Sequence, residues 1–332
     1  MSRYLVVITD YDYPDVDREK AILARIGAEV RAHNHKDENE VIRITRGADA
    51  VINQYAPITR RVVEHLSDSC VAIGQYGIGV DTIDVKAATE KGIAVVNVPS
   101  YCEHEVAEHA LALLLTLARK LPPYDEEVRR LGWDWKTQVP IHRLSGQTLG
   151  LVGFGKIARR LVEKVKGFSF QVIAFDPFVE ETTMNNLGVW KVALEKLLSD
   201  SDFVSIHVPL ADGTRNLLSD KELSLMKKEA ILINTSRGPV IDQDALCRAL
   251  SEGKIAAAGL DVFDEEPPGA SRSGETLLGL KNVCLTPHVA WYSEESIVDL
   301  REKLATDVAR VLRGKRPEGF VNPEVKPLSP LQ

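Results

Sequence analysis

The stretch from Thr148 to Asp176, TLGLVGFGKIARRLVEKVKGFSFQVIAFD, constrains the fold more than any other part of the chain. A short apolar run, Leu149 to Val152, meets Gly153-Phe154-Gly155-Lys156-Ile157-Ala158. Ile157, Leu161, Val165 and Phe168 then recur at helical spacing, and a second apolar run, Val172 to Phe175, closes at Asp176. Strand, glycine turn, helix, strand and acid in that order make a parallel βαβ unit. Gly153 permits the tight turn, Gly155 lets backbone approach a pyrophosphate, and the small Ala158 lets helix and strand pack closely. The helix start presents unpaired amides and a positive dipole end, which hold a diphosphate without a cationic side chain. Asp176 suits the ribose diol of an adenosine and repels a 2′-phosphate, and the following Pro177 and Phe178 bring no cation, so the pattern selects NAD over NADP.

The rest of the chain extends the same alternation. Tyr4 to Thr9, Ala48 to Asn53 and Val71 to Gly74 read as strands, with helices over Arg18 to Ile26, Arg60 to Leu66 and Ile83 to Lys91. After Asp176 come strands at Phe203 to Val208, Ala230 to Asn234, Ala256 to Val262 and Val283 to Thr286. Helices are expected at Ala193 to Leu198, Lys221 to Met226, Asp244 to Ser251 and Ser293 to Leu312. Such alternation predicts an α/β fold of parallel sheets covered by helices on both faces. At 332 residues there is room for two domains. The proline-containing end, 315–332, reads as extended or loosely ordered.

Composition excludes several classes. The net charge is −7 and the basic residues are dispersed, whereas a nucleic-acid surface needs clustered Lys and Arg. No apolar run is long enough for a membrane span, and Met1-Ser2-Arg3-Tyr4 leads straight into a strand without a signal peptide. Neither nucleic acid nor a membrane is therefore expected as a partner. Cys70, Cys102, Cys247 and Cys284 stand far apart without a CxxC pair, which suits buried thiols in a reducing cytoplasm.

Between the two groups of strands, Glu103 to Leu121 reads as a long apolar helix stopped by Pro122-Pro123. His104-Glu105-Val106-Ala107-Glu108 resembles the zinc-binding HExxH pattern, but its fifth residue is Glu, and His109 falls about 140° around the helix from His104. No metal site is expected. Residues 122–144 form a polar excursion carrying Trp133 and Trp135, which fits a surface covered by a second subunit or, alternatively, a cap on its own domain.

Hydride transfer to or from a nicotinamide requires a proton donor and a cation for the substrate's oxygens. His288 follows a strand end, and histidine is the residue type that protonation of a developing alkoxide near neutral pH calls for. Glu266, at another strand's exit, is placed to orient His288, with Glu265 as a neighbouring competitor. Arg237 offers a planar bidentate donor suited to an α-keto carboxylate. His207-Val208-Pro209, Thr235-Ser236 and the glycine loop Tyr76-Gly77-Ile78-Gly79 also stand at strand carboxyl ends, the ligand edge of a parallel sheet.

The order of Gly153-x-Gly155-x-x-Ala158 with Asp176, Asn234-Thr235-Ser236-Arg237-Gly238, Gly259-Leu260-Asp261-Val262-Phe263-x-x-Glu266-Pro267 and Thr286-Pro287-His288 resembles the D-isomer-specific 2-hydroxyacid dehydrogenases over about residues 4 to 323. Gln75 to Asp81, Trp133-Asp134-Trp135 and His288 to Ser293 are similar to the branch of the C-terminal-binding proteins. The resemblance implies a Rossmann NAD-binding domain, 100–292, with a dimerisation segment at about 100–145. It is inserted in a flavodoxin-like substrate domain formed by 1–99 and 293–332. It also implies an Arg237, Glu266, His288 triad acting on a 2-keto or D-2-hydroxy acid, and a homodimer. NAD contacts are implied at Gly153, Gly155, Lys156, Ile157, Asp176, His207, Pro209, Thr214, Thr235, Ser236, Arg237, Asp261 and His288. For the substrate it implies Tyr76, Gly77, Ile78, Gly79, Arg237, His288 and Trp291. Two other readings are an NADH-sensing co-regulator of the C-terminal-binding protein type and a D-3-phosphoglycerate dehydrogenase.

Overall fold

The turn at residues 153–158 joins two neighbouring strands of the larger of two parallel sheets. The computed structural model describes residues 3–269 and 271–326. From the start, β1 (Tyr4–Ile8), α1 (Asp17–Ala24), β2 (Ala28–Ala32), α2 (Glu38–Ile44), β3 (Ala50–Asn53), α3 (Arg60–His65), β4 (Ala72–Gln75), α4 (Val85–Glu90) and β5 (Ala94–Val96) alternate. Their strands lie in the order β2-β1-β3-β4-β5, every pairing parallel. Polar side chains start the helices: Asp37 accepts from the Asn39 and Glu40 amides, Thr59 from Val62 and Asp84 from Ala87. Each such cap contributes about 1 kcal/mol.

The chain then passes through α5 (Glu103–Ala118) and α6 (Leu121–Arg129) into a second alternation. This comprises β6 (Thr148–Val152), α7 (Lys156–Val165), β7 (Gln171–Phe175), α8 (Glu181–Asn185), β8 (Trp190–Lys191), α9 (Leu194–Asp200), β9 (Phe203–Ile206), α10 (Asp220–Leu225), β10 (Ile231–Asn234), α11 (Gln243–Ser251), β11 (Ala257–Leu260), α12 (Arg272–Gly279) and β12 (Val283–Leu285). The sheet order is β12-β11-β10-β9-β6-β7-β8. One face is buried by α5 and α7, through Leu113, Leu114, Leu161 and Val165 against Leu149, Leu151 and Ile233. The other is covered by α9, α10 and α11, through Leu197, Leu223 and Leu246 against Val204, Leu232 and Ala258. The last helix, α13 (Glu294–Leu312), returns to the first sheet and packs on β4, β5 and α1. Two compact units result, one made of residues up to Tyr101 with those from Ser293 onward, the other of Cys102–Tyr292.

Several local expectations are corrected. The prolines at 122 and 123 do not end the helical region; they occupy the first turn of α6, where an N–H is not needed. Part of the polar excursion is therefore helical. β2, α2, β5 and α12 were not expected: β2 is an alternating edge strand and β5 has three residues, both too weakly patterned to stand out. Residues 315–326 are not loose. Asn97 N donates to Gly319 O, Val321 N to Val95 O, and the Asn322 side chain bonds the Val95 amide, the Thr89 hydroxyl and the Ile93 carbonyl. Residues 327–332, also in that expectation, lie outside the described residues.

Candidate active site

The glycine turn is built from both ends. Gly153 has φ +92°, and a Cβ there would fall 2.7 Å from the His207 carbonyl oxygen, so only glycine suits both the dihedral and the neighbour. Its amide donates to Phe175 O at 2.8 Å, tying the turn to β7. Phe154 is fully buried and anchors the turn in the core, a contribution of about 2–3 kcal/mol. Asp176 holds it from outside: Oδ2 accepts from the Phe154 amide at 2.8 Å and Oδ1 from the Phe178 amide at 2.9 Å. Gly155 caps α7 and is exposed, with no atom within 4 Å of where a Cβ would stand. Open space thus lies beside Gly155 at the start of a ten-residue helix, as a diphosphate requires. Lys156 is exposed beside them, while Ile157 is half-buried and Ala158 fully buried.

The end of β9 stands next to this turn in the sheet, and that of β10 one strand further along the same edge. His207 Nε2 lies 2.9 Å from Ser205 Oγ, and burial pushes its pKa down to about 4, so the ring is neutral at physiological pH. Thr214 folds the following loop by donating to Pro209 O at 2.6 Å and accepting from the Ala211 amide. After β10, Asn234 shapes the turn: Oδ1 accepts from the Ser236 amide and hydroxyl, and Nδ2 donates to Arg237 O at 2.9 Å. Thr235 Oγ1 is buried with no hydrogen-bond partner among the described residues. An orphaned hydroxyl on the same sheet edge as the open glycine turn fits a polar cofactor. The next residue but two, Gly238, allows close approach of another loop, because a Cβ there would lie 2.0 Å from the Phe263 carbonyl.

Beyond that approach, Glu266 and His288 come together. His288 Nδ1 lies 2.6 Å from Glu266 Oε2, while Glu266 Oε1 accepts from the Phe263 amide at 3.1 Å. Burial works to raise the Glu266 pKa, but the His288 hydrogen bond and charge, the Phe263 amide and the charge of Arg237 together hold it below the usual carboxylate range. An ionised Glu266 keeps the proton on Nδ1 and leaves Nε2 for a reacting group. Arg237 Nη1 donates to Ser236 O at 2.7 Å. His288 itself has φ +51°, a left-handed conformation uncommon for a side-chain-bearing residue and characteristic of functional sites.

Asp261, at the end of β11, is fully buried. Its Oδ1 accepts from the Thr286 hydroxyl at 2.6 Å and the Val289 amide at 2.9 Å, and Oδ2 from the Ala290 amide at 2.9 Å. The Asp261 carbonyl takes the His288 amide at 2.8 Å. Asp261 therefore holds the loop that carries His288. The sequence offered no local signal for this clamp or for the Asn234 turn. Trp291 packs edge-on against Tyr292. Among the described residues, no group of three or more His, Cys, Asp or Glu side chains gathers as a metal site.

The remaining substrate candidates belong to the first unit. Gly77 and Ile78 are pinned through their carbonyls, by the Val98 amide and the Asn97 side chain. Gly79 is half-buried. Tyr76 is only 5% exposed and its hydroxyl donates to buried Glu19 at 2.9 Å, so its ring supports the loop from beneath.

Comparison with known proteins agrees with this layout. Residues 111–290 match the family described as D-isomer specific 2-hydroxyacid dehydrogenase, NAD binding domain. The chain is 40% identical over 294 residues to a glyoxylate reductase of Korarchaeum cryptofilum, covering 87% of each. It is 38% identical to a D-3-phosphoglycerate dehydrogenase of Methanocaldococcus jannaschii, covering 96% of this chain and 59% of that longer protein. A solved D-lactate dehydrogenase of Aquifex aeolicus, complexed with NAD and lactic acid, superposes with a TM-score of 0.84 at 30% identity, covering 93% of this chain and 96% of that one.

Proposed function

The chain belongs to the D-isomer-specific 2-hydroxyacid dehydrogenase family, and on that footing we propose that it interconverts a small 2-keto acid and the corresponding D-2-hydroxy acid with NAD. The observation that carries the proposal is the His288–Glu266 pair at 2.6 Å, on the sheet edge that also presents Arg237 and the open glycine turn. Residues 100–292 are proposed to bind NAD, and 1–99 with 293–332 the substrate. Bound NADH supplies the hydride. The planar fork of Arg237 binds the substrate carboxylate and polarises its carbonyl. His288, with Nδ1 held by Glu266, delivers a proton from Nε2 to the carbonyl oxygen as the alcohol forms, and takes it back in oxidation.

The relatives named above are dehydrogenases and a reductase, which supports an enzyme over an NADH-sensing co-regulator. The discriminating experiment follows NADH consumption with glyoxylate, hydroxypyruvate, pyruvate, phenylpyruvate and 3-phosphohydroxypyruvate. Turnover giving a D product is expected. Tight NADH binding without turnover on the whole panel would replace the enzyme by the co-regulator, and a preference for the phosphorylated acid would place the chain among phosphoglycerate dehydrogenases.

The protein is further proposed to be a homodimer. α6 has no buried residue, and Leu131, Trp133 and Trp135 around it are 93%, 90% and 70% exposed. So much aromatic and aliphatic surface in one segment suits a partner subunit. Light scattering should give twice the chain mass, and a monomeric mass would refute the assignment. The four free thiols fit a cytoplasmic location.

A further inference from the structure

His109 was weighed above only as a metal ligand, yet the structure gives its ring a definite partner. It stands on α5, which packs against β11 and β12, the strands that lead into Asp261 and Thr286. His109 Nε2 is 2.9 Å from Thr286 Oγ1 and 3.6 Å from Asp261 Oδ1. The proton directions follow by elimination. The Thr286 hydroxyl has one hydrogen and directs it to Asp261 Oδ1 at 2.6 Å, so it must accept from His109, whose Nε2 carries the hydrogen. The chain of donors thus runs from His109 to Thr286 to Asp261. The same carboxylate takes the amides of Val289 and Ala290, immediately after His288.

We propose that His109 is a positioning residue for His288: by donating to Thr286 it locks the Thr286–Asp261 clamp that sets the backbone from residue 288 to residue 290. The arrangement explains how a side-chain-bearing residue is held at φ +51°, a conformation that persists only where its surroundings over-determine it. Without the His109 donor the Thr286 hydroxyl loses its fixed orientation, one of the three donors to Asp261 loosens, and the imidazole of His288 samples positions away from a productive line of proton transfer. Displacements on the order of 1 Å are enough to slow catalysis substantially. This inference rests on the dehydrogenase reading for its effect on turnover.

The test compares His109→Phe, which keeps a ring and removes the donor, with His109→Gln, whose side-chain amide places an N–H where Nε2 lies. In His109→Phe, kcat should fall about tenfold with little change in substrate KM, and hydrogen exchange of the amides in residues 286–290 should quicken. His109→Gln should restore both to within about threefold of the natural protein. Unchanged kcat and exchange in His109→Phe would overturn the proposal. So would faster exchange with normal kcat, which is what a purely structural histidine predicts, or equal impairment of the two variants. If the natural protein reduces no 2-keto acid, the dehydrogenase reading falls separately, and the exchange comparison still decides whether His109 locks the clamp.

Discussion

Each of the two sheets holds a buried aspartate at the carboxyl end of a strand and uses it in the same way, yet only one of the two fixes a loop that carries a residue proposed to move a proton. In the first unit, Asp10 follows β1 and is fully buried; its carboxylate accepts the amides of Gln54, Tyr55 and Ala56 and the Thr9 hydroxyl. In the second, Asp261 follows β11 and accepts the amides of Val289 and Ala290 and the Thr286 hydroxyl. The architecture is common to both, a buried acceptor that fixes a loop at the ligand edge. What differs is the cargo. The Asp10 loop carries Tyr55, a side chain suited to contact, whereas the Asp261 loop carries His288, paired with Glu266 and backed by His109. A clamp gives precision, and the residues hung on it decide whether precision becomes proton transfer.

The comparison is broken most forcefully by removing both acceptors in turn. Asp261→Ala and Asp10→Ala each strand several buried donors, at about 1–3 kcal/mol apiece, so both variants should lose comparable stability in denaturant titrations. Their kinetics should diverge: roughly a 100-fold lower kcat for Asp261→Ala, against a raised KM with kcat within about threefold for Asp10→Ala. Equal losses of kcat would show that the two clamps serve catalysis alike.

A smaller effect separates the two edges by pH. Burial lowers the pKa of His207 from 6.5 to about 4, and that of His33, after β2, in the same direction, with the charges of His35, Arg43 and Arg31 adding to it. Below 6.5 the unfolded chain binds a proton that folded His207 refuses. The neutral ring's contribution is therefore fully present above that pH and lost as the pH falls towards 4, by up to about 3 kcal/mol. His207→Gln should flatten the loss of stability between about pH 7 and about pH 4.5, and His33→Gln should flatten it less. If His207→Gln leaves the pH dependence unaltered, its ring is not held neutral by the fold.

Legibility in the sequence follows the range of the interactions. β6, the glycine turn, α7 and β7 form one contiguous unit whose periodicity and small residues can be read directly, and Asp176 bonds back to a turn only 22 residues away. Arg237, Glu266 and His288 could be singled out as the candidate triad because each sits in a motif at a strand exit. The clamps were not legible, since Asp261 reaches Val289 across 28 positions and Asp10 reaches Tyr55 across 45, with no pattern linking the partners. His109 illustrates the limit most clearly: helical geometry excluded it from sharing a metal with His104, but only the folded sheet shows Thr286 beside it. Likewise the buried side chain of Tyr76 is set by Glu19, 57 residues earlier.

If His288, held by Glu266, moves the proton while the glycine turn independently holds the cofactor, one variant should separate the two functions. The most direct test measures kcat with the best 2-keto acid and the NADH dissociation constant in His288→Ala. The account predicts a fall in kcat of about 100- to 10,000-fold with NADH affinity within about twofold of the natural protein. Undiminished kcat would contradict it.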